Sequence, residues 1–134
     1  MERKQILANQ KGFTLVEIIA VLILLGILAA VAIPRYMDMT TEARQKAIDA
    51  GIAEMNSRES MVWGKVKLSA TPANDAAMDA AVLAHADYSS NLGADYSWSA
   101  GPTAAGGTLS FQSATGVALT RTAATLISPA SWRR

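Results

Sequence analysis

Gly12-Phe13-Thr14-Leu15-Val16-Glu17 opens an apolar run that continues without interruption through Ile33 to Pro34. Between Phe13 and Ile33 only Thr14 and Glu17 are polar, and only Glu17 is charged. Coiled as an α-helix at ~1.5 Å per residue, the run is about 31 Å long, close to the ~30 Å hydrocarbon thickness of a bilayer. It is apolar on every face, so it belongs either in lipid or at the centre of a protein assembly. Glu17 lies four residues inside its start. A carboxylate there costs on the order of a few kcal/mol, so it marks a task rather than an accident of composition. Two positions weaken the helix. Gly26 costs ~1 kcal/mol relative to alanine. Pro34 has no N–H, which leaves the carbonyl of Ala30 without its partner and disfavours helix at Ile33.

Upstream, residues 1–11 carry Arg3, Lys4 and Lys11 against a single acid, Glu2. A basic segment before an apolar run is held on the cytoplasmic side by the positive-inside preference. The run is too long for an ordinary secretory signal, and Ala29-Ala30-Val31-Ala32 is embedded in continuing helix pattern rather than placed as a cleavage site. The remainder leaves room for one small domain. Formal net charge is +1, so no basic field points to nucleic acid. Cysteine is absent, which removes disulfides, thiolate metal sites and cysteine nucleophiles together.

Lys11-Gly12-Phe13-Thr14-Leu15-Val16-Glu17, followed by an uncharged span and a proline, resembles the N terminus of type IV pilins and of the related type II secretion pseudopilins. The resemblance covers the chain from residue 1 to about residue 60. It implies a leader, residues 1–12, removed by a membrane-embedded prepilin peptidase between Gly12 and Phe13. The same enzyme would N-methylate Phe13. Glu17 would then meet the Phe13 amine of a neighbouring subunit and set the register of assembly. The resemblance also makes Gly26 to Pro34 a candidate for local helix melting within an assembled filament; a mild kink at Pro34 alone is the other reading. Elementary chemistry agrees with this assignment. A glycine before the cut enters a narrow peptidase site with little steric penalty. An ammonium and a carboxylate in one apolar layer satisfy each other where neither is cheaply solvated.

Beyond Pro34, residues 35–70 read as an amphipathic continuation of the helix. Ile48, Ile52, Met55, Val62 and Val66 form one stripe. The charged residues, Glu54, Arg58, Glu59, Lys65 and Lys67 among them, read as a solvated or neighbour-facing side. Trp63 is expected to pack on the domain. Pro72 stops the helix, and residues 71–134 form the globular part. A short helix is expected over residues 75–86, capped by Asn74 or Asp75. Tyr96-Ser97-Trp98-Ser99, Thr108-Leu109-Ser110-Phe111-Gln112 and Val117-Ala118-Leu119-Thr120 alternate with period two between glycine and proline punctuation. They predict a three-stranded antiparallel meander whose apolar face, Trp98, Leu109, Phe111, Val117 and Leu119, covers the helical stripe. Residues 125–134 receive no assignment.

The fold class is therefore α+β: a long N-terminal helix packed on a small sheet. No catalytic residue, cofactor or metal is expected. His85, the single histidine, reads as a surface or helix-end residue. Asp75, Asp79, Asp87 and Asp95 have no recognised calcium-loop spacing and read as solvated acids. The expected function is a non-catalytic pilus subunit, held in the inner membrane as a precursor and exported into a filament outside the cell. Its partners would be copies of itself, the peptidase, the assembly machinery and, before assembly, the membrane. A pseudopilin acting in the periplasm, or a single-pass membrane-anchored binding domain, would share most of these features. Adhesion, motility, DNA uptake and electron transfer are not separated by any motif.

Overall fold

A computed structural model describes residues 12–134. The element order is α1 (Leu15–Ser69), α2 (Asp75–Leu83), β1 (Tyr96–Thr103), β2 (Gly106–Phe111), β3 (Val117–Thr122) and β4 (Ser131–Arg133). Two compact units partition the chain, one running up to Thr40 and the other Thr41–Arg134. The first consists of the start of α1, with its large apolar side chains exposed from Phe13 to Ile33. α1 is long and apolar enough near its N-terminal end to cross a membrane. It runs as regular helix through both Gly26 and Pro34.

In the second unit the buried stripe of α1 is Ile48, Gly51, Met55, Glu59, Val62 and Val66. The helix ends at Ser69, three residues before Pro72, which cannot donate to the ladder. α2 starts where Asn74, in extended conformation, accepts the N–H of Ala77 at 2.9 Å. That is a side-chain N-cap, as the sequence leads one to expect.

The sheet is an antiparallel meander in the order β1-β2-β3-β4. Cα partners include Trp98 with Leu109, Leu109 with Val117, and Arg121 with Trp132. The expectation of three strands is thus corrected to four. β4 has three residues, too few for a period-two signal, and it exists because its surroundings hold it. Asn56 on α1 takes both backbone groups of Trp132. Its Oδ1 accepts the N–H at 2.6 Å and its Nδ2 donates to the carbonyl at 3.1 Å. β2 meets β3 closely at Gly106, φ 141°, where a Cβ would stand 2.2 Å from the carbonyl oxygen of Leu119. Only glycine fits that conformation and that gap.

The core has two clusters. One joins Val62 and Val66 of α1 to Met78 and Val82 of α2, with Ala124 and Ala130 and, at its edge, Trp63. The other sets Ile48 and Met55 against Leu109, Leu119 and Trp132, with Trp98, Phe111 and Val117 half-buried beside them. The sheet face named from the alternation pattern is the face that covers the helix.

Candidate functional site

Two polar constellations stand out, one at the head of α1 and one inside the second unit. At the head, Thr14 precedes the first helical residue and Glu17 is the third. The Thr14 hydroxyl accepts the N–H of Glu17 at 3.2 Å, and Glu17 Oε2 accepts the N–H of Thr14 at 3.4 Å. This reciprocal pair is a capping box. It satisfies two N–H groups that the helix start leaves unpaired and puts a negative charge at the positive end of the helix dipole. The sequence signal is Thr-x-x-Glu ahead of an apolar run. Glu17 is therefore folded back towards the start of its own helix, one residue from Phe13. Gly12 and Phe13 precede the helix and are exposed. Among the described residues, a Cβ at Gly12 or Gly26 would meet nothing within 4 Å. Arg3, Lys4, Lys11 and Glu2 lie outside the described residues.

The second constellation corrects the reading of two acids. Glu59, assigned above to the solvated side of α1, is fully buried. Asp79, read as a solvated acid, is bound to Arg121. Arg121 Nε donates to Glu59 Oε1 at 2.6 Å and Nη2 to Glu59 Oε2 at 3.2 Å. The same guanidinium reaches Asp79 Oδ1 at 2.8 Å and the carbonyl of Ala104 at 3.2 Å. Glu59 Oε1 also accepts Trp132 Nε1 at 3.0 Å and the Tyr88 hydroxyl at 3.2 Å. Asp79 Oδ1 accepts the N–H of Ala124 at 2.7 Å. Glu59 and Arg121 can be buried, with Asp79 partly exposed beside them, because their lone pairs and protons are occupied. Burial alone would lower the Arg121 pKa, but hydrogen bonds and charge from Glu59 and Asp79 outweigh it and hold the guanidinium above its ordinary value. Burial, reinforced by the Glu59 charge, pushes the Tyr88 phenol up to about 12.

Two further acids, Asp75 and Asp87, also have structural partners. Asp75 Oδ1 accepts the N–H of Leu126 at 2.8 Å. Asp87 lies 2.7 Å from Lys65 Nζ, whose hydrogen bond and charge hold the carboxyl below its ordinary value. His85 Nδ1 accepts the N–H of Asp87 at 3.1 Å, a local turn contact past the end of α2. Trp63 Nε1 donates to the Thr125 carbonyl at 2.8 Å, and Lys67 Nζ donates to that of Leu126 at 2.8 Å. These contacts order residues 125–128 without a covalent link.

A family profile described as the prokaryotic N-terminal methylation motif matches residues 7–33. The chain is 47% identical over 47 residues to the type IV narrow pilus major component PilA5 of Thermus thermophilus, covering 35% of this chain and 40% of that one. It is 39% identical over 66 residues to a fimbrial protein of Pseudomonas aeruginosa, 47% of this chain and 43% of the relative. It is 57% identical over 35 residues to the type IV major pilin protein PilE1 of Neisseria gonorrhoeae, 26% of this chain and 21% of the relative. The chain thus matches less than half the length of each of these relatives. No solved structure matches the chain. The profile match includes the apolar run and the helix head, where the capping box sits.

Proposed function

We propose that this chain, whose N-terminal segment carries the methylation motif and is homologous to that of type IV pilins, is the structural subunit of a helical pilus filament. One observation carries the reading. A helix start bearing Thr14 and Glu17 heads a span that is apolar on all sides and, among the described residues, covered by nothing. Such a surface is stable in lipid or among copies of itself.

The precursor resides in the inner membrane with residues 1–12 as its leader. Cleavage between Gly12 and Phe13 removes three basic residues and one acid, taking the formal charge from +1 to −1. It also creates an amine at Phe13, which is then N-methylated. On extraction from the membrane, residues 13–33 exchange lipid for the helices of neighbouring copies. Glu17 of the incoming subunit pairs with the Phe13 amine of a copy already in place. That pair contributes register more than affinity, because desolvation offsets much of the attraction between buried ions. In the filament, Gly26 to Pro34 is where α1 can unwind. The filament lies outside the cell, and the chain acts as a building block with no chemistry of its own.

Mass spectrometry of the chain recovered from cells that assemble it tests the first step. The expected N terminus is methylated Phe13. A precursor that keeps residues 1–12 in shed filaments would refute the assignment, as would a normal Phe13 end in a variant with Gly12 replaced by a bulky residue.

A further inference from the structure

In the second unit an open cavity of about 340 Å³ lies between the N-terminal part of its α1 segment and the turn joining β2 to β3. Thr41, Arg44, Gln45 and Ile48 form the helical wall, and Phe111 and Val117 form the apolar floor with the turn residues 114–116. Just before this wall, at one helical turn's spacing, stand Tyr36 and Met39, 71% and 69% exposed. They share a helix face. Both lie past Ile33, where the run has already used up the ~30 Å of a hydrocarbon layer. A tyrosine at that level suits a membrane surface. That setting is lost once the subunit leaves the membrane, and Met39 gains nothing from it.

We infer that Tyr36 and Met39 of one copy seat in this groove on the neighbouring copy. The inference rests on the filament reading above and specifies one of its contacts. Pairing Glu17 of one subunit with the Phe13 amine of the next offsets the two by four residues, ~6 Å along a helix. Identical copies related by one screw operation carry the same axial offset at every level, whatever the helix does in between. With α1 along the filament axis, residues 36 and 39 of the copy giving the amine stand level with residues 40 and 43 of the copy giving Glu17. Those positions adjoin the groove wall that begins at Thr41. The occupant is thus a second copy, and its two apolar side chains meet Ile48, Phe111 and Val117. Arg44 on the rim offers its guanidinium to the face of Tyr36. Each subunit gives Tyr36 and Met39 to one neighbour and takes them from another, so the contact propagates without closing.

The chain has no cysteine, so engineered pairs report without background. Filaments of the full-length double variant Met39→Cys with Thr115→Cys, treated with a mild oxidant, should give a ladder of disulfide-linked multimers on a non-reducing gel. A second pair, Tyr36→Cys with Gln45→Cys, should do the same if the first disturbs assembly. The control pair Met39→Cys with Thr122→Cys, the latter exposed on β3 and outside the groove, should give none. Filaments of both test pairs without a ladder, or a control ladder of equal yield, overturn the contact alone. Failure of the unmodified chain to form filaments overturns the filament reading and this contact with it. Unchanged filament yield in the double variant Tyr36→Ser with Met39→Ser also overturns the contact, since an apolar seat occupied by two serines should lose most of it.

Discussion

At the residue scale, Arg121 does more for the second unit than any other single polar side chain. It joins β3 to α1 through Glu59 and to α2 through Asp79. Removing it leaves two carboxylates facing each other without a counter-charge. Arg121→Met should therefore cost about 3–5 kcal/mol, the usual penalty for stranding a buried partner. Denaturant unfolding of the full chain in detergent, followed by the fluorescence of Trp63, Trp98 and Trp132, would read that loss. A cost below about 1 kcal/mol would mean that the network is not closed as described. Tyr88 supplies a pH test. Its folded pKa is raised to about 12 from an ordinary 10 by burial and by Glu59. The unfolded chain then releases the phenolic proton first as pH rises. The Tyr88 contribution is full below pH 10 and is lost as pH climbs through 12. The stability difference between the native chain and Tyr88→Phe should be flat from pH 7 to 9 and shift against the native chain from pH 10 to 12. No difference in slope would exclude the buried phenol.

At the element scale, α1 and β4 lie at opposite extremes of legibility. The stripe Ile48, Ile52, Met55, Val62 and Val66 repeats at helical spacing over many turns, and packing follows it. Gly51 is buried within the same stripe, where a Cβ would stand 3.0 Å from the Tyr96 ring. The missing side chain at Gly51 lets the sheet come close to the helix there. Glu59 also lies on that stripe, three residues before Val62, although a charged side chain is ordinarily outside. Its partner Arg121 is 62 residues away, and no local pattern pairs them. β4 is three residues long and is held by Asn56, by Glu59 and by the Trp132 ring, whose centroid is 5.5 Å from that of Trp98. Trp132→Ala should remove β4 as an element and cost about 3–5 kcal/mol, as large-to-small core changes do. The check is a lowered urea midpoint together with lost hydrogen-exchange protection at Thr120 and Thr122, whose N–H groups face β4, while that of Arg121 bonds the Ala105 carbonyl. Retained protection would mean that β4 is not what holds that edge of the sheet.

At the scale of the whole molecule, a cysteine-free chain of 134 residues has to hold its C-terminal segment by other means. Glu59, Arg121 and Asp79, with Trp132, Asn56 and the Asp75 bond to Leu126, fasten residues 121–134 back onto both helices. A staple of this kind is indifferent to reducing agents, unlike a disulfide. The other end of the molecule is unfinished when alone, since its apolar helix surface is exposed. Glu17→Ala should still be processed to a Phe13 end, because the change lies beyond the cut. Its filament yield should fall about tenfold or more, since an unpaired amine would be stranded in the apolar core. Electron microscopy of shed material beside N-terminal mass spectrometry separates the two steps. Normal filaments from this variant would remove Glu17 from the register.

The sequence by itself determined everything that depends on near neighbours along the chain. The span, the helical stripe, the Asn74 cap, three of the four strands and the motif around Gly12 and Phe13 are each carried by residues within a few turns or a short alternation. The capping box of Thr14 and Glu17 was equally local and equally legible. Only the tertiary structure decided the inward course of Glu59, the capture of Asp79, the existence of β4 and the groove floored by Phe111 and Val117. Each of these joins groups tens of residues apart. Burying a carboxylate, or ordering a three-residue strand, is unfavourable until the distant partner is present, so no local pattern announces it.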